Sequence, residues 1–182
     1  MKITRHFSKL FGTLVGTTAA IIAFALARSS CADDTIPPPP ERIGVYDSRA
    51  VAVAYVGSTS QVEKMKALTA QMKKARAAGD TNQMARLETE GRAWQSTLHQ
   101  QGFGTAPVDD LLAVIAGDVS TIREAVGVTC LISKWNEAEL ERHPRAERID
   151  VTMLLVDAFH PTEKQRQRAL EIQKTKPQMS VK

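Results

Sequence analysis

The chain has 182 residues, of which 24 are lysine or arginine and 20 are aspartate or glutamate, so its net charge is +4. Residues 1–32 carry all of that excess, because they contain four basic residues and no acidic one. Residues 33–182 are therefore neutral overall, which removes the compositional support for a nucleic-acid partner. About 150 residues are enough for one domain with one core.

The N-terminal segment has the layout of a secretory signal. Three basic residues precede an uncharged run from Leu10 to Ala27, and small residues follow. Cleavage is predicted after Ala27 or after Ala32. Lipidation of Cys31, or retention of residues 1–32 as an uncleaved membrane anchor, is the alternative. We therefore expect a periplasmic or exported protein, in one alternative anchored in the inner membrane.

A spacer and the start of a single domain follow the signal. Residues 33–42 include four consecutive prolines, which predict an extended segment. The domain is predicted over residues 43–160. Its first element is a strand over Ile43–Tyr46, indicated by β-branched residues. Asp47 or Ser48 is expected to cap a helical turn over Arg49–Tyr55.

Residues 61–101 have the spacing of two helices folded back on each other. Gly79 suits the left-handed position that ends a helix, and Asp80 is the predicted N-cap of the next one. So short a turn predicts an antiparallel coiled-coil hairpin. Apolar and small residues recur at intervals of three and four and form its seam: Met65, Leu68, Met72, Ala75 and Gly79 in the first helix, and Met84, Leu87, Gly91, Trp94, Leu98 and Gln101 in the second.

A core-packing helix and a strand are predicted next. Apolar residues from Val108 to Val126 repeat with the helical period, and Gly127 ends the helix. Residues 128–135 predict a strand. Residues 136–148 are polar, and we expect an edge strand followed by a loop.

The C-terminal part is predicted to be helical. Asp150 or Thr152 is expected to cap a short helix that runs through Phe159. Residues 161–182 predict an exposed polar helical tail, with Thr162 and the glutamine three residues later as its capping pair.

No established catalytic or phosphate-binding motif is present, and we expect a protein that is not an enzyme and binds no cofactor or metal. Glu139, Glu141 and His143 would share one face of the predicted edge strand. They leave a metal site or small enzyme as a third, weaker hypothesis. Cys130 is interpreted as a structural thiol rather than as a nucleophile paired with His160, because no basic side chain is near it in its strand.

The order of elements resembles the periplasmic chaperone family Skp (OmpH-like). The matching pieces are "IGVYDS" beginning at Ile43, "GVTCLISK" around residues 128–134, and "IDVT" at residues 149–152; with the hairpin between them they span most of residues 42–159. The resemblance implies an α+β fold, in which a small β-containing body carries a projecting hairpin. It also implies that three copies join so that their arms hold unfolded outer-membrane proteins without ATP.

This resemblance makes the first helix of the hairpin the expected contact surface for a client protein. Three apolar residues would contact the client and three basic residues near the turn would steer it. The alternative is an envelope scaffold, a membrane-tethered domain that the proline spacer displays to a fixed partner. The predicted contact residues are Met65, Leu68, Met72, Lys73, Lys74 and Arg76.

Overall fold

The computed structural model describes residues 40–178. Three predicted features lie outside that range: the signal or anchor with its cleavage points, Cys31, and residues 33–39 of the proline spacer. The described part is mixed helix and strand, as predicted. Its elements in chain order are β1 Arg42–Tyr46, α1 Ser48–Tyr55, α2 Thr59–Ala77, α3 Thr81–Phe103, α4 Asp109–Val114, α5 Ala116–Val126, β2 Leu131–Ser133, α6 Glu137–Leu140, β3 Glu147–Asp150, α7 Thr152–Asp157 and α8 Glu163–Ile172.

The three strands form a parallel sheet in the order β2-β1-β3. Gly44 of the central strand pairs with Leu131 on one side and Ile149 on the other. Because side chains alternate along a strand, Ile43 packs into a small cluster on one face of the sheet, and Tyr46 packs into the main core on the other. β3 was not predicted. It is a short edge strand in which only Ile149 is partly buried, so it has no apolar alternation to detect.

The predicted edge strand in the first half of residues 136–148 is wrong, because this segment contains α6. The Asn136 side chain accepts a hydrogen bond from the Glu139 backbone N–H at 3.2 Å and starts the helix. Leu140 is then buried with Ile43 beneath the sheet. The alternation of Glu139 and Glu141 is typical of a strand, but the Asn136 cap favours a helix here.

α1 is the centre of the main core. Every residue of this helix except Val53 is buried, and the helix packs against α3, α7 and α8. Asp47 is its N-cap, as predicted, with the carboxylate accepting from the Arg49 backbone N–H at 3.0 Å. The buried core residues are Tyr46, Ala50, Val51, Ala52, Ala54, Tyr55, Val108, Leu111, Ile115, Val151, Leu155, Val156, Phe159 and Ala169.

The helix predicted from Val108 to Val126 is broken into α4 and α5 at Ile115. This residue has φ −114° and ψ 32°, and its N–H bonds to the Leu112 carbonyl at 3.1 Å, closing a tighter turn. α5 restarts where Val119 N–H donates to the Ile115 carbonyl. The apolar period continues through the break and no proline lies there, so the pattern alone predicts one continuous helix.

The predicted exposed tail is wrong for α8, which packs onto the domain. Its capping box of Thr162 and Gln165 forms as predicted. However, Ala169 is fully buried in the main core, and Gln165 Nε2 donates to the Val56 carbonyl at 2.7 Å. The Gln178 backbone N–H bonds to the Phe103 carbonyl at 2.9 Å. Ala169, the partly buried Ile172 and these hydrogen bonds together dock the helix.

A buried ion pair lies where β1 leads into α1. The side chains of Asp47 and Arg49 are almost wholly buried, with Arg49 Nη2 2.9 Å from Asp47 Oδ2. The Asp47 carboxylate also accepts from Lys134 Nζ at 2.7 Å and from Trp135 Nε1 at 3.0 Å, both just beyond β2. Its backbone N–H donates to Thr152 Oγ1, just beyond β3, at 3.0 Å.

The surroundings of Asp47 compensate for its burial. Burial alone would raise the pKa of this carboxyl, but the hydrogen bonds from Arg49, Lys134 and Trp135 outweigh that effect and hold the pKa of Asp47 below its ordinary value. The carboxylate is therefore charged in the folded protein, and the fold depends on its donors.

We expect Arg49→Met to lower the free energy of unfolding by about 3–5 kcal/mol, because the variant leaves a buried carboxylate without its main partner. Lys134→Met is the matched control. Its side chain is partly exposed, so it should cost only about 1 kcal/mol. Urea denaturation followed by circular dichroism measures both, and equal losses would contradict the central role of Arg49.

The lowered pKa of Asp47 also predicts a pH dependence. Its contribution to stability is present above the unfolded pKa of about 3.9 and is lost as pH falls through the folded pKa. The difference in unfolding free energy between the wild type and Asp47→Asn should therefore shrink as pH falls below about 4. Urea titrations of both proteins across this range test it, and a pH-independent difference would refute it.

Candidate functional site

α2 and α3 lie side by side and are joined by a tight turn. Gly79 has φ +67°, the left-handed conformation expected of it, and the Asp80 carboxylate accepts from the Gln83 backbone N–H at 2.9 Å. Ser58 caps the start of α2 through the Gln61 N–H. With 19 and 23 residues, the helices are about 28 and 34 Å long.

The contacts between α2 and α3 come in opposite order along the two helices. Lys64 Nζ lies 4.8 Å from the centre of the Trp94 ring. Further along α2, a Cβ placed on Gly91 would be 3.5 Å from Leu68 Cδ2.

The facing residues are covered unevenly. All six predicted seam residues of α3 are buried or half-buried, and Leu98 and Gln101 at its base reach the core of the domain. In α2 only Ala75 is buried, and Met65 is 42% exposed. A helix covered by one neighbour alone leaves part of its apolar side open to solvent.

A groove of about 590 Å³, which we call the seam groove, follows the line between the helices. The predicted contact residues Met65, Leu68 and Met72 all line it. Methionine and leucine offer a polarisable, adaptable surface with few hydrogen-bonding groups. The complete lining is Gln61, Met65, Leu68, Thr69, Met72, Leu87, Glu88, Gly91, Arg92, Trp94, Gln95 and Leu98.

The predicted basic residues lie apart from this groove. Lys73, Lys74 and Arg76 are exposed near the end of α2, and none of them lines the groove. Lys74 and Arg76 are in the last turn, where positive charge favours the helix dipole. The structure therefore brings together the three apolar residues of the predicted contact set. The three basic residues lie apart from them next to the turn, and we call them the basic end.

A second apolar groove, the base groove, was not predicted. It has a volume of about 680 Å³ between α1, α3 and α8, and Leu98 lines both this groove and the seam groove. Val56 and Phe103, which are 49% and 41% exposed, also line it. Each lies at the end of its helix, and the sequence predicts an exposed tail where α8 forms. The meeting of these surfaces therefore cannot be predicted from the sequence pattern.

The geometry expected for the third hypothesis does not form. Glu139 lies in α6 rather than in a strand, and His143 Nδ1 is 3.0 Å from Glu41 Oε1. Within residues 40–178 there is no group of three side chains placed to hold a metal ion. Cys130 is half-buried beside the small cluster under the sheet, whereas His160 is exposed after α7. Over the same range, no helix is long and apolar enough to cross a membrane.

Comparison with known proteins adds no assignment. No family model, curated protein or solved structure significantly matches the chain.

We expect Gly91→Ala to stabilise the protein by about 1 kcal/mol, because alanine is the better helix former and its Cβ would make an ordinary contact with Leu68. Gly102→Ala is the control in the same helix, since a Cβ there would meet nothing within 4 Å. Thermal unfolding should show a larger gain for Gly91→Ala. An equal gain would mean that α2 does not pack on Gly91 in solution.

Proposed function

We propose that this protein is an exported, ATP-independent holding chaperone of the Skp (OmpH-like) type. In this proposal α2 and α3 form an antiparallel hairpin that projects from the body and holds exposed apolar segments of unfolded envelope proteins. The observation that carries the proposal is the seam groove, since the apolar side of α2 is left open along a pair of helices.

The chemistry of the seam groove suits such a client. An unfolded membrane protein presents varied apolar side chains, and a groove lined by Met65, Leu68 and Met72 can adapt to them without a fixed pattern of hydrogen bonds. The basic end at Lys73, Lys74 and Arg76 would raise the rate at which acidic or negatively charged clients arrive.

Oligomerisation is part of this proposal. β2 and β3 are the outer strands of the sheet, so each has one side unpaired within the described chain. Such edges can pair with another copy. A trimer, as the resemblance implies, would bring several seam grooves around one client.

The alternative is an envelope scaffold, which the base groove favours. This groove is the larger of the two and lies on the body between three helices, a position suited to one fixed partner. In that case the chain would have no chaperone activity, and the predicted N-terminal anchor would set its place in the envelope.

The protein should suppress aggregation of a denatured outer-membrane protein at a stoichiometric ratio, and Met65→Ser should reduce that suppression about twofold or more, because it removes an exposed apolar contact. Val114→Ser is the matched control, since Val114 is exposed to a similar degree but lies in α4. Light scattering follows aggregation and also reports the number of copies. A monomer that gives no suppression would favour the scaffold.

Charge reversal tests the steering role separately. Lys73→Glu with Lys74→Glu should slow client capture about twofold or more at low salt, with a smaller effect at high salt. Lys164→Glu with Lys174→Glu changes the net charge equally at exposed positions in or just after α8. Equal slowing by both pairs would show that only net charge matters.

A further inference from the structure

A polar cleft opens beside the sheet, away from the seam and base grooves. It has a volume of about 380 Å³ and shares no lining residue with either of them. Its lining combines β1, β2, the loop before α4, and α6. The residues that line it are Tyr46, Thr105, Pro107, Asp109, Leu131, Ile132, Ser133, Trp135, Asn136 and Glu139. We call it the tyrosine cleft.

Tyr46 is the distinctive group of this cleft. The residue is only 5% exposed, and its hydroxyl makes no hydrogen bond with any residue that the structure describes. The fully buried polar atoms without a partner among the described residues are Ser48 Oγ and Gln101 Oε1, so the Tyr46 oxygen is open to solvent at the cleft. Burial raises the pKa of Tyr46 to about 12, and the nearby charge of Asp109 adds to the rise, so the phenol stays protonated at neutral pH. Its oxygen keeps a free acceptor site.

The charge of the lining selects a cation. Asp109 and Glu139 are the charged residues that line the cleft, and both are acidic. Glu139 is already paired with Arg142 at 2.7 Å, whereas Asp109 forms no ion pair with the described residues. Lys134 and Arg49 lie over the Trp135 ring at 4.8 and 4.7 Å, but both of these cations are paired with the buried carboxylate of Asp47. Asp109 and the Tyr46 hydroxyl are thus two acceptors that a cationic N–H donor would satisfy.

The walls of the cleft suit a cation with an aliphatic stem. Leu131, Ile132 and Pro107 give the same cleft an apolar part of its lining. Lysine and arginine bury such stems while their charged ends remain hydrogen-bonded. A bare metal ion has no aliphatic part that could contact these apolar residues.

The position of the cleft favours a polypeptide as the source of that cation. Leu131, Ile132 and Ser133 are consecutive in β2, and consecutive side chains point to opposite faces of a strand. A cleft that all three residues line therefore reaches more than one face of the strand, as a cleft at its edge does. β2 is an outer strand, so an extended chain can pair with it and direct a side chain toward Tyr46.

We propose that the tyrosine cleft binds a lysine or arginine side chain of a partner polypeptide that lies along the edge of β2, with Asp109 and Tyr46 receiving the charged group.

Binding of a five-residue peptide with a central lysine between alanines tests this site in the full chain. The NMR signal of the Trp135 indole N–H is the readout, since the Trp135 ring lines the cleft. Asp109→Asn should weaken binding about tenfold, because a charge-assisted hydrogen bond is lost. Asp118→Asn, an exposed acid of α5 outside the cleft, should leave it unchanged.

Two further measurements can overturn the proposal. Tyr46→Phe should unfold at the wild-type temperature, since its hydroxyl has no described partner, but bind the peptide about threefold or more weakly. Lysine amide, which lacks a chain to pair with β2, should bind about tenfold more weakly than the peptide. The site would be refuted if lysine amide, or a peptide with norleucine in place of lysine, bound as tightly as the lysine peptide. It would also be refuted if Asp118→Asn weakened binding as much as Asp109→Asn, or if the Trp135 signal did not change with about 10 mM peptide.

Discussion

Asp47 and Arg49 are charged residues that are almost wholly buried where the central strand, β1, leads into the central helix, α1. Removing a carboxylate and a guanidinium from water costs several kcal/mol for each group, and their attraction repays this only when the remaining donors and acceptors are satisfied. The satisfying groups come from distant parts of the sequence. Lys134 and Trp135 follow β2, and the Arg49 guanidinium also donates to the Thr175 carbonyl at 2.9 Å. The pair is therefore stable only when the segments around it have all assembled.

These contacts tie β1 and α1 to distant segments of the chain, whereas the two long helices are held less evenly. α3 is held at its base, where buried Gln101 donates to the Pro107 carbonyl at 2.9 Å and to Asp110 at 2.7 Å. α2 has no comparable anchor beyond its capped start, and only Ala75 is buried along its length. The proposed holding role needs this difference, since a surface that accepts varied clients must keep its apolar residues exposed while the body keeps its shape.

Local signals in the sequence were sufficient at four positions where one residue sets the backbone, although the Asn136 cap of α6 was not predicted. Asp47 caps α1, Gly79 adopts the left-handed conformation, Gly127 ends α5, and Thr162 caps α8, all as expected, because each acts on its own neighbours. Signals failed where the outcome depended on distant packing. β3 forms by pairing with the edge of β1, which lies about a hundred residues earlier in the chain. α8 docks where Ala169 packs into the main core. The buried ion pair was not predicted either. Asp47 and Arg49 are only two residues apart, but burial of the pair depends on Lys134, Trp135 and Thr175, which come from distant parts of the sequence. Of the candidate site, the sequence predicted the apolar residues of α2 but not the base groove, which forms between three separate helices.

The two proposed contact surfaces would recognise their partners by different physics. The seam groove offers apolar area and adaptable side chains, so its affinity would follow how much apolar surface a client exposes rather than the order of its residues. The tyrosine cleft offers one carboxylate, one phenol and the edge of a strand, and such a site rejects a chain that lacks the matching cation because its own polar groups would remain unpaired. Holding many clients requires the first kind of surface. Recognising one particular partner requires the second kind of surface. The sheet suits such a surface, because the ion pairs of Asp47 with Arg49 and Lys134 join the end of β1 to the end of β2 next to Tyr46.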